Sequence, residues 1–184
     1  CRQPKQSFSS CATRRVAQLG EEHAHTLITL GNLASVATKR GNLEAAERDQ
    51  RKVAEIRARI SGPEHRDTLI ARNNLAHLID DAGRHTESAA MMKEVIAGAE
   101  KTLGVDHVST AQFRSNYGTF LFRSGDTKEA EVQLRHALQV IEEKLGKDSG
   151  SARGTRTRLC ELLRATGRAA EADELQPRKD GSGH

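Results

Sequence analysis

Residues 61–89 read SGPEHRDTLIARNNLAHLIDDAGRHTESA, and residues 103–131 read LGVDHVSTAQFRSNYGTFLFRSGDTKEAE. Set one beneath the other, they share a glycine in second place, a histidine in fifth and a threonine in eighth. They also share an asparagine in fourteenth place and a second glycine in twenty-third. The same pattern recurs on both sides, as LGEEHAHTLITLGNLASVATKRGNLEAAE from Leu19 and as LGKDSGSARGTRTRLCELLRATGRAAEAD from Leu145. Gly20, Gly62, Gly104 and Gly146 keep one constant step, and Gly41, Gly83, Gly125 and Gly167 keep the same step, offset by half of it. His23, His65 and His107 match, as do Thr26, Thr68 and Thr110, and Asn32, Asn74 and Asn116. The fourth copy departs with Ser149, Ala152 and Arg158. Self-similarity at such a period marks a repeat protein, which decides the fold before any local reading.

Each copy reads as two helices. Leu27, Leu30, Leu33, Ala34 and Ala37 fall at helical spacing, and Leu69, Leu75, Ala76, Leu78 and Ile79 do the same in the second copy. Gly41 suits the left-handed position just past a helix C-terminus, with Arg40 beside the negative helix end. Second helices are predicted near 43–60, 87–103, 128–145 and 169–176, with small residues early in each: Ala46, Ser88, Ala130 and Ala172. These let two helix backbones approach closely. Pro4, Pro63 and Pro177 all fall outside the predicted helices of the repeats. A single helical hairpin has an apolar face and nowhere to bury it, and stacking neighbours resolves this. The expected fold is therefore all-α, a right-handed α-solenoid of stacked antiparallel hairpins. Its divisions are an N-terminal helix or degenerate half-repeat over 1–18 and repeats at 19–60, 61–102 and 103–144. A degenerate capping repeat over 145–178 and a disordered tail over 179–184 complete it.

The loop, core and turn segments resemble the tetratricopeptide repeat in the long version found in kinesin light chains. They are LGEEHAHT, SGPEHRDT and LGVDHVST; GNLA and NNLA; and GNLEAAE and GDTKEAE. The standard repeat has 34 residues, and the 42-residue step adds about two helical turns per unit. Ala24, Arg66 and Val108 replace the proline of the light-chain loop, and Leu43, His85 and Thr127 replace its aromatic after the turn glycine. The likeness covers roughly residues 19 to 176. It implies a protein–protein interaction scaffold that binds a peptide segment of a partner in a concave groove. Such repeats are also appended to larger proteins, so a regulatory or targeting module of a signalling kinase or NTPase is the alternative. Some members grip a C-terminal carboxylate with paired Lys and Asn. The matching places here hold Gly31, Ser35, Asn73 and His77, so that clamp is incomplete.

Composition agrees with a thin solenoid: hydrophobic residues are 36% and charged residues 29%, poor for one compact core. No run of about 18 apolar residues suggests a membrane span. Cys1 at the start reads as a fragment or a processed piece, and a lipoprotein reading rests on that one residue. Residues 4–18 align with a second helix, and Phe8, Val16 and Leu19 could cover the edge of the first unit. Cys1, Cys11 and Cys160 have no metal-ligand spacing. Cys160 stands where other copies hold Ala34, Ala76 and Gly118, and reads as an inert core thiol. The expected location is the cytoplasm.

No phosphate-binding or nucleophile motif is present, and no cofactor is expected. His23, His65 and His107 sit one repeat apart, too far to share an ion, and read as structural residues opening each hairpin. The chain is read as a non-enzyme. Net charge is +4, and Arg153, Arg156, Arg158, Arg164 and Arg168 crowd the last repeat. They read either as solvated charges on a capping unit or as an attraction for an acidic peptide or RNA. RNA is disfavoured because stacking aromatics are missing there.

Helical spacing places the candidate groove on the first helices. Its residues are Asn32, Ser35 and Lys39 in the first copy, and Asn73, Asn74, His77, Asp80 and Asp81 in the second. Asn116, Thr119, Phe122 and Arg123 follow in the third. The three repeated asparagines could bond an extended peptide backbone or hold helices in register. Phe122, off the face of Phe113, Tyr117 and Phe120, is an anchor candidate or packs against a neighbouring unit. The expected partner is another protein offering an extended or acidic peptide segment, with no membrane, and nucleic acid, as in an RNA-binding solenoid, is the less favoured alternative.

Overall fold

A computed structural model describes residue 20 and residues 22–176. The expectations for residues 1–18, for Leu19 and for the tail over 179–184 lie outside the described residues. Every regular element among them is an α-helix. They run α1 Ala24–Lys39, α2 Leu43–Ser61, α3 Arg66–Asp81, α4 His85–Leu103, α5 Val108–Ser124, α6 Thr127–Leu145, α7 Gly150–Ala165 and α8 Ala169–Leu175. The odd-numbered helices are the first helices of the four copies and the even-numbered ones the second. The chain divides into two compact units, one ending at Thr102 and the other beginning at Leu103.

The two glycine series have separate physical causes. Gly62 and Gly146 follow α2 and α6 with φ 96°, ψ 157° and φ 84°, ψ 154°. That region is open essentially to glycine alone. Gly41, Gly83, Gly125 and Gly167 have φ of 75°, 80°, 98° and 80° after the odd helices. Each closes a double hydrogen-bonded cap: Gly41 N–H donates to Thr38 C=O, and Asn42 N–H reaches back to Ala37 C=O.

The loop histidines cap helices. The Nδ1 of His23, His65 and His107 accepts from the backbone N–H of His25, Asp67 and Ser109 at 3.2, 3.2 and 3.1 Å. Ser149 does the same for Ala152 in the fourth copy. The repeated threonines are buried ties. Thr26, Thr68 and Thr110 donate their hydroxyls to the carbonyls of Gly20, Gly62 and Gly104 at 2.8, 2.8 and 2.9 Å. Each tie fixes the angle at which the chain enters a first helix, and Ala152 leaves the fourth copy without one.

Helices pack at the small residues. Ala34 and Ala46 share one apolar cluster, and Ser88, Ala130 and Ala172 are wholly buried. At Gly118 the helices are so close that an added Cβ would lie 2.7 Å from Leu134 Cγ and 3.0 Å from the Ala130 carbonyl. Cys160 is buried, its thiol meets the Ala172 carbonyl at 3.3 Å, and burial pushes its pKa up. That is the environment of an unreactive thiol. Phe120, Leu134 and Ile141 fill the core of the second unit, each worth about 1.5–3 kcal/mol on burial.

Candidate functional site

In unit 1 the first helices α1 and α3 stand apart with α2 as the floor between them, leaving a cleft of about 460 Å³. Ile28, Gly31, Asn32, Ser35 and Thr38 come from α1; Asp67, Ile70, Ala71 and Asn74 come from α3; Gln50, Val53 and Arg57 come from α2. Gln50 holds the floor to the wall, its Nε2 donating to the Ala71 carbonyl at 3.0 Å. Arg57 and Asp67 form an ion pair at 2.9 Å.

Unit 2 repeats the arrangement two copies further along the chain, in a cleft of about 340 Å³. Gln112, Ser115 and Asn116 of α5 take the places of Ile28, Gly31 and Asn32. Ser151, Gly154, Thr155 and Arg158 of α7 take those of Asp67, Ile70, Ala71 and Asn74. The walls are joined: Ser115 Oγ and Thr155 Oγ1 are 3.0 Å apart, and Gln112 Nε2 donates to Ser151 Oγ at 3.2 Å. Gly31 and Ala71 have no hydroxyls with which to draw α1 and α3 together.

The structure brings Asn32, Ser35 and Asn74 to the first cleft and Asn116 to the second. Lys39, Asp81 and Arg123 are exposed at the C-terminal ends of their helices, outside both clefts. His77, Thr119 and Phe122 are half-buried and line neither. Two expectations need correction. Asp80 is only 2% exposed. His85 Nδ1 lies 2.7 Å from its carboxylate, and the Ser88 hydroxyl donates to the same oxygen at 3.3 Å. A charge held this way from α4 anchors a helix pair and is no groove surface. Asn73 is likewise buried, its amide donating to Asn74 Oδ1 at 3.3 Å. The expectation had followed the 73/77/80/81 side of α3, whereas the side facing α1 is 67/70/71/74.

The arginines of the last repeat are mostly engaged. Arg156 pairs with Glu142, Arg164 with Asp173 at 2.8 Å, and Arg168 with Glu131 at 2.6 Å and with Glu171. Arg135 closes that last set onto Glu131 at 2.8 Å and onto Glu171. The same quartet stands two copies earlier as Glu47, Arg51, Arg84 and Glu87. Burial works to raise the Glu131 pKa, but hydrogen bonds from Arg135 and Arg168 outweigh it and hold the carboxyl below its usual range. Those two arginines lower Glu171 against a smaller effect of burial.

Among the described residues no group of three or more His, Cys, Asp or Glu could hold a metal ion, and no helix is long and apolar enough to cross a membrane.

A family model described as tetratricopeptide repeat matches residues 25–101 and 71–143, more than half of the chain. Among curated proteins none matches. Solved structures do. One is a singly substituted form of the nearly identical TPR-like repeats of a kinesin light chain candidate from Podosopora anserina, with TM-score 0.76 and 23% identity. The match covers 91% of this chain and 79% of that one. The form without the substitution matches with TM-score 0.74 and 23% identity, covering 91% and 80%. BtubC (BKLC) from P. vanneervenii matches with TM-score 0.71 and 16% identity, covering 96% and 85%. At these identities the likeness shows the fold, an all-α solenoid.

Proposed function

The chain belongs to the tetratricopeptide repeat family, and from that premise we propose that it is a non-catalytic scaffold binding an extended peptide segment of a partner protein. The α1/α3 and α5/α7 clefts are the surfaces that take the segment. The observation that carries this is their common construction. Positions two copies apart line both, each includes an asparagine of the repeated series, and each leaves polar groups facing open volume. Amides there can donate to and accept from a peptide backbone, which is what an extended segment offers. Nucleic acid has less support, because Arg156, Arg164 and Arg168 are engaged in internal ion pairs.

A display library of random twelve-residue peptides, selected on the whole chain, tests the reading. Selected peptides are expected to lose at least about tenfold in affinity when Asn32 and Asn74, or Asn116 and Arg158, become alanine. Circular dichroism should be unchanged. Equal binding to all three proteins, or no selectable peptide, would count against the clefts.

A further inference from the structure

The second helix of the fourth copy stops short. It is α8, with seven residues, whereas α2, α4 and α6 each have nineteen. The cause is local. Gln176 takes φ −72° and ψ 135° ahead of Pro177, and a proline disfavours helix in the residue before it. Gln176 holds the place of Leu134 in α6, which is 1% exposed and packs on α5 at Gly118, but Gln176 is itself exposed. A cleft of about 380 Å³ opens there between α6 and α8, lined by Leu138, Leu159 and Leu175 together with Glu142, Glu143 and Lys147. It shares no lining residue with the α5/α7 cleft. Leu145 at the end of α6 is 46% exposed, while Leu103 at the matching place of α4 is half-buried.

What fits this space is set by the repeat. A second helix uses its later part to hold two first helices: Val53 and Ala54 of α2 share one apolar cluster with Leu30 of α1 and Ala71 of α3. Residues 8–19 carry that same later part ahead of α1. Phe8, Cys11 and Ala12 hold the places of Leu134, Ala137 and Leu138, and Leu19 holds that of Leu145. With Val16 they recur at helical spacing. Phe8 is the counterpart of Gln176, so this stretch begins in the repeat where α8 leaves off.

Charge agrees with the register. Residues 1–19 contain Arg2, Lys5, Arg14 and Arg15 and no acid. In the first two copies the loop acid ahead of a first helix pairs with a base late in the second helix, Glu22 with Arg59 at 2.7 Å and Glu64 with Lys101 at 2.9 Å. Asp148 is the loop acid of the fourth copy, and α8 ends before reaching that position. Its backbone carbonyl accepts from Arg153 at 2.8 Å. Arg14 lies one helical turn before Ala17, the counterpart of Arg59 and Lys101.

We propose that residues 8–19 of a second copy complete the fourth repeat, lying in the α6/α8 cleft as the later part of its second helix, so that chains join head to tail. The segment need not leave its own chain. As α2 holds both α1 and α3, it holds its own α1 and the α7 of the copy ahead. Such an interface is heterologous, so it propagates into chains or rings and does not end at a symmetric pair.

The test uses the whole chain and two variants, each blocked at one end. Phe8→Asp charges the donor stretch, and Leu145→Asp charges an exposed residue of the acceptor end. In sedimentation velocity the parent chain should grow from one chain to several between micromolar and millimolar concentration, with no plateau at two. Each variant alone should stay a single chain. Their equimolar mixture should form a pair and nothing larger, since one intact head meets one intact tail. With the Phe8→Asp chain isotope-labelled in that mixture, amide NMR should shift Gln139, Glu143 and Leu175. Circular dichroism checks both variants, and Phe8→Ser replaces Phe8→Asp if helix is lost. A symmetric pair that neither variant weakens overturns the proposal, as does a mixture that forms no pair. Shifts centred on Asn116 in place of Leu175 overturn the assignment to this cleft. A parent chain that stays single at millimolar concentration overturns the second copy as occupant; if Phe8→Asp then shifts Leu175 in the single chain, the chain's own segment is the occupant.

Discussion

Units 1 and 2 place equivalent positions around a cleft, yet one cleft is wide and holds an internal ion pair, while the other is narrow and holds Arg158 bonded to a hydroxyl. The differences trace to a few substitutions. Gly31 and Ala71 become Ser115 and Thr155, whose hydroxyls bond across the walls. Arg57 and Asp67 become Ile141 and Ser151, which removes the internal ion pair. Gln50, which reaches across to a carbonyl, becomes the fully buried Leu134. A repeat backbone therefore holds the frame while single side chains choose what each cleft can accept.

That contrast can be broken most severely at its hydrophobic end. Leu134→Ala should cost about 2–5 kcal/mol, because it empties a fully buried site. Gln50→Ala at the matching position of unit 1 should cost only about 1 kcal/mol, since it removes one neutral hydrogen bond. Urea denaturation of the two variants compares them, and equal losses would mean that the units do not differ in core packing as described. Gly118→Ala comes next. Unit 1 holds alanine at the same place as Ala34, but here the added Cβ meets Leu134 and the Ala130 carbonyl, so a loss of about 1–3 kcal/mol is expected. A gain in stability would show that α5 and α6 are less close than the structure places them.

The threonine tie offers a gain and a loss. Thr68→Val should cost about 1 kcal/mol by removing the hydroxyl donor from the Gly62 carbonyl, which then keeps the longer bond from the His65 N–H at 3.4 Å. Ala152→Thr should recover part of that amount in the fourth copy, which lacks the tie. A thermal midpoint that falls in Ala152→Thr would argue that the fourth loop follows another path. The smallest effect is electrostatic. Glu131 and Glu171 have folded-state pKa values below their unfolded ones, so their contribution is present above the usual carboxylate range and fades as pH falls through the lowered values. The difference in melting temperature between the parent chain and Glu131→Gln should thus be visible at neutral pH and vanish in acid. It should also shrink in high salt, as expected for exposed pairs. A difference that persists in acid would contradict the pairing with Arg135 and Arg168.

Most of the fold was legible because its constraints are local and repeated. A glycine at positive φ, a capping histidine and a small residue at a helix crossing each leave a mark at a fixed position, and four copies make the mark unmistakable. The clefts were legible in part. Asn32, Asn74 and Asn116 were found because they recur. Ile28, Asp67, Ile70, Ser151 and Thr155 were missed because they vary between copies, and Arg158 had been read only as one of a basic group. The side of a first helix that faces its neighbour follows from packing, which spacing along one helix does not contain. Asp80 was misplaced for a related reason. Its burial depends on His85 and Ser88, which stand where other copies have Leu43 or Thr127 and Ala46 or Ala130. The signal was a coordinated departure from the repeat, visible only when all three positions are compared together.

The account stands or falls on the first-helix clefts being the working surface. The most direct measurement is the amide NMR footprint of a library-selected peptide on the whole chain. It should perturb residues of α1 and α3 around Asn32 and Asn74, or of α5 and α7 around Asn116 and Arg158, and spare the exposed outer side of α2 and α6. A footprint centred on Arg48, Glu55, Val132 or Gln139, with the clefts unchanged, would contradict it.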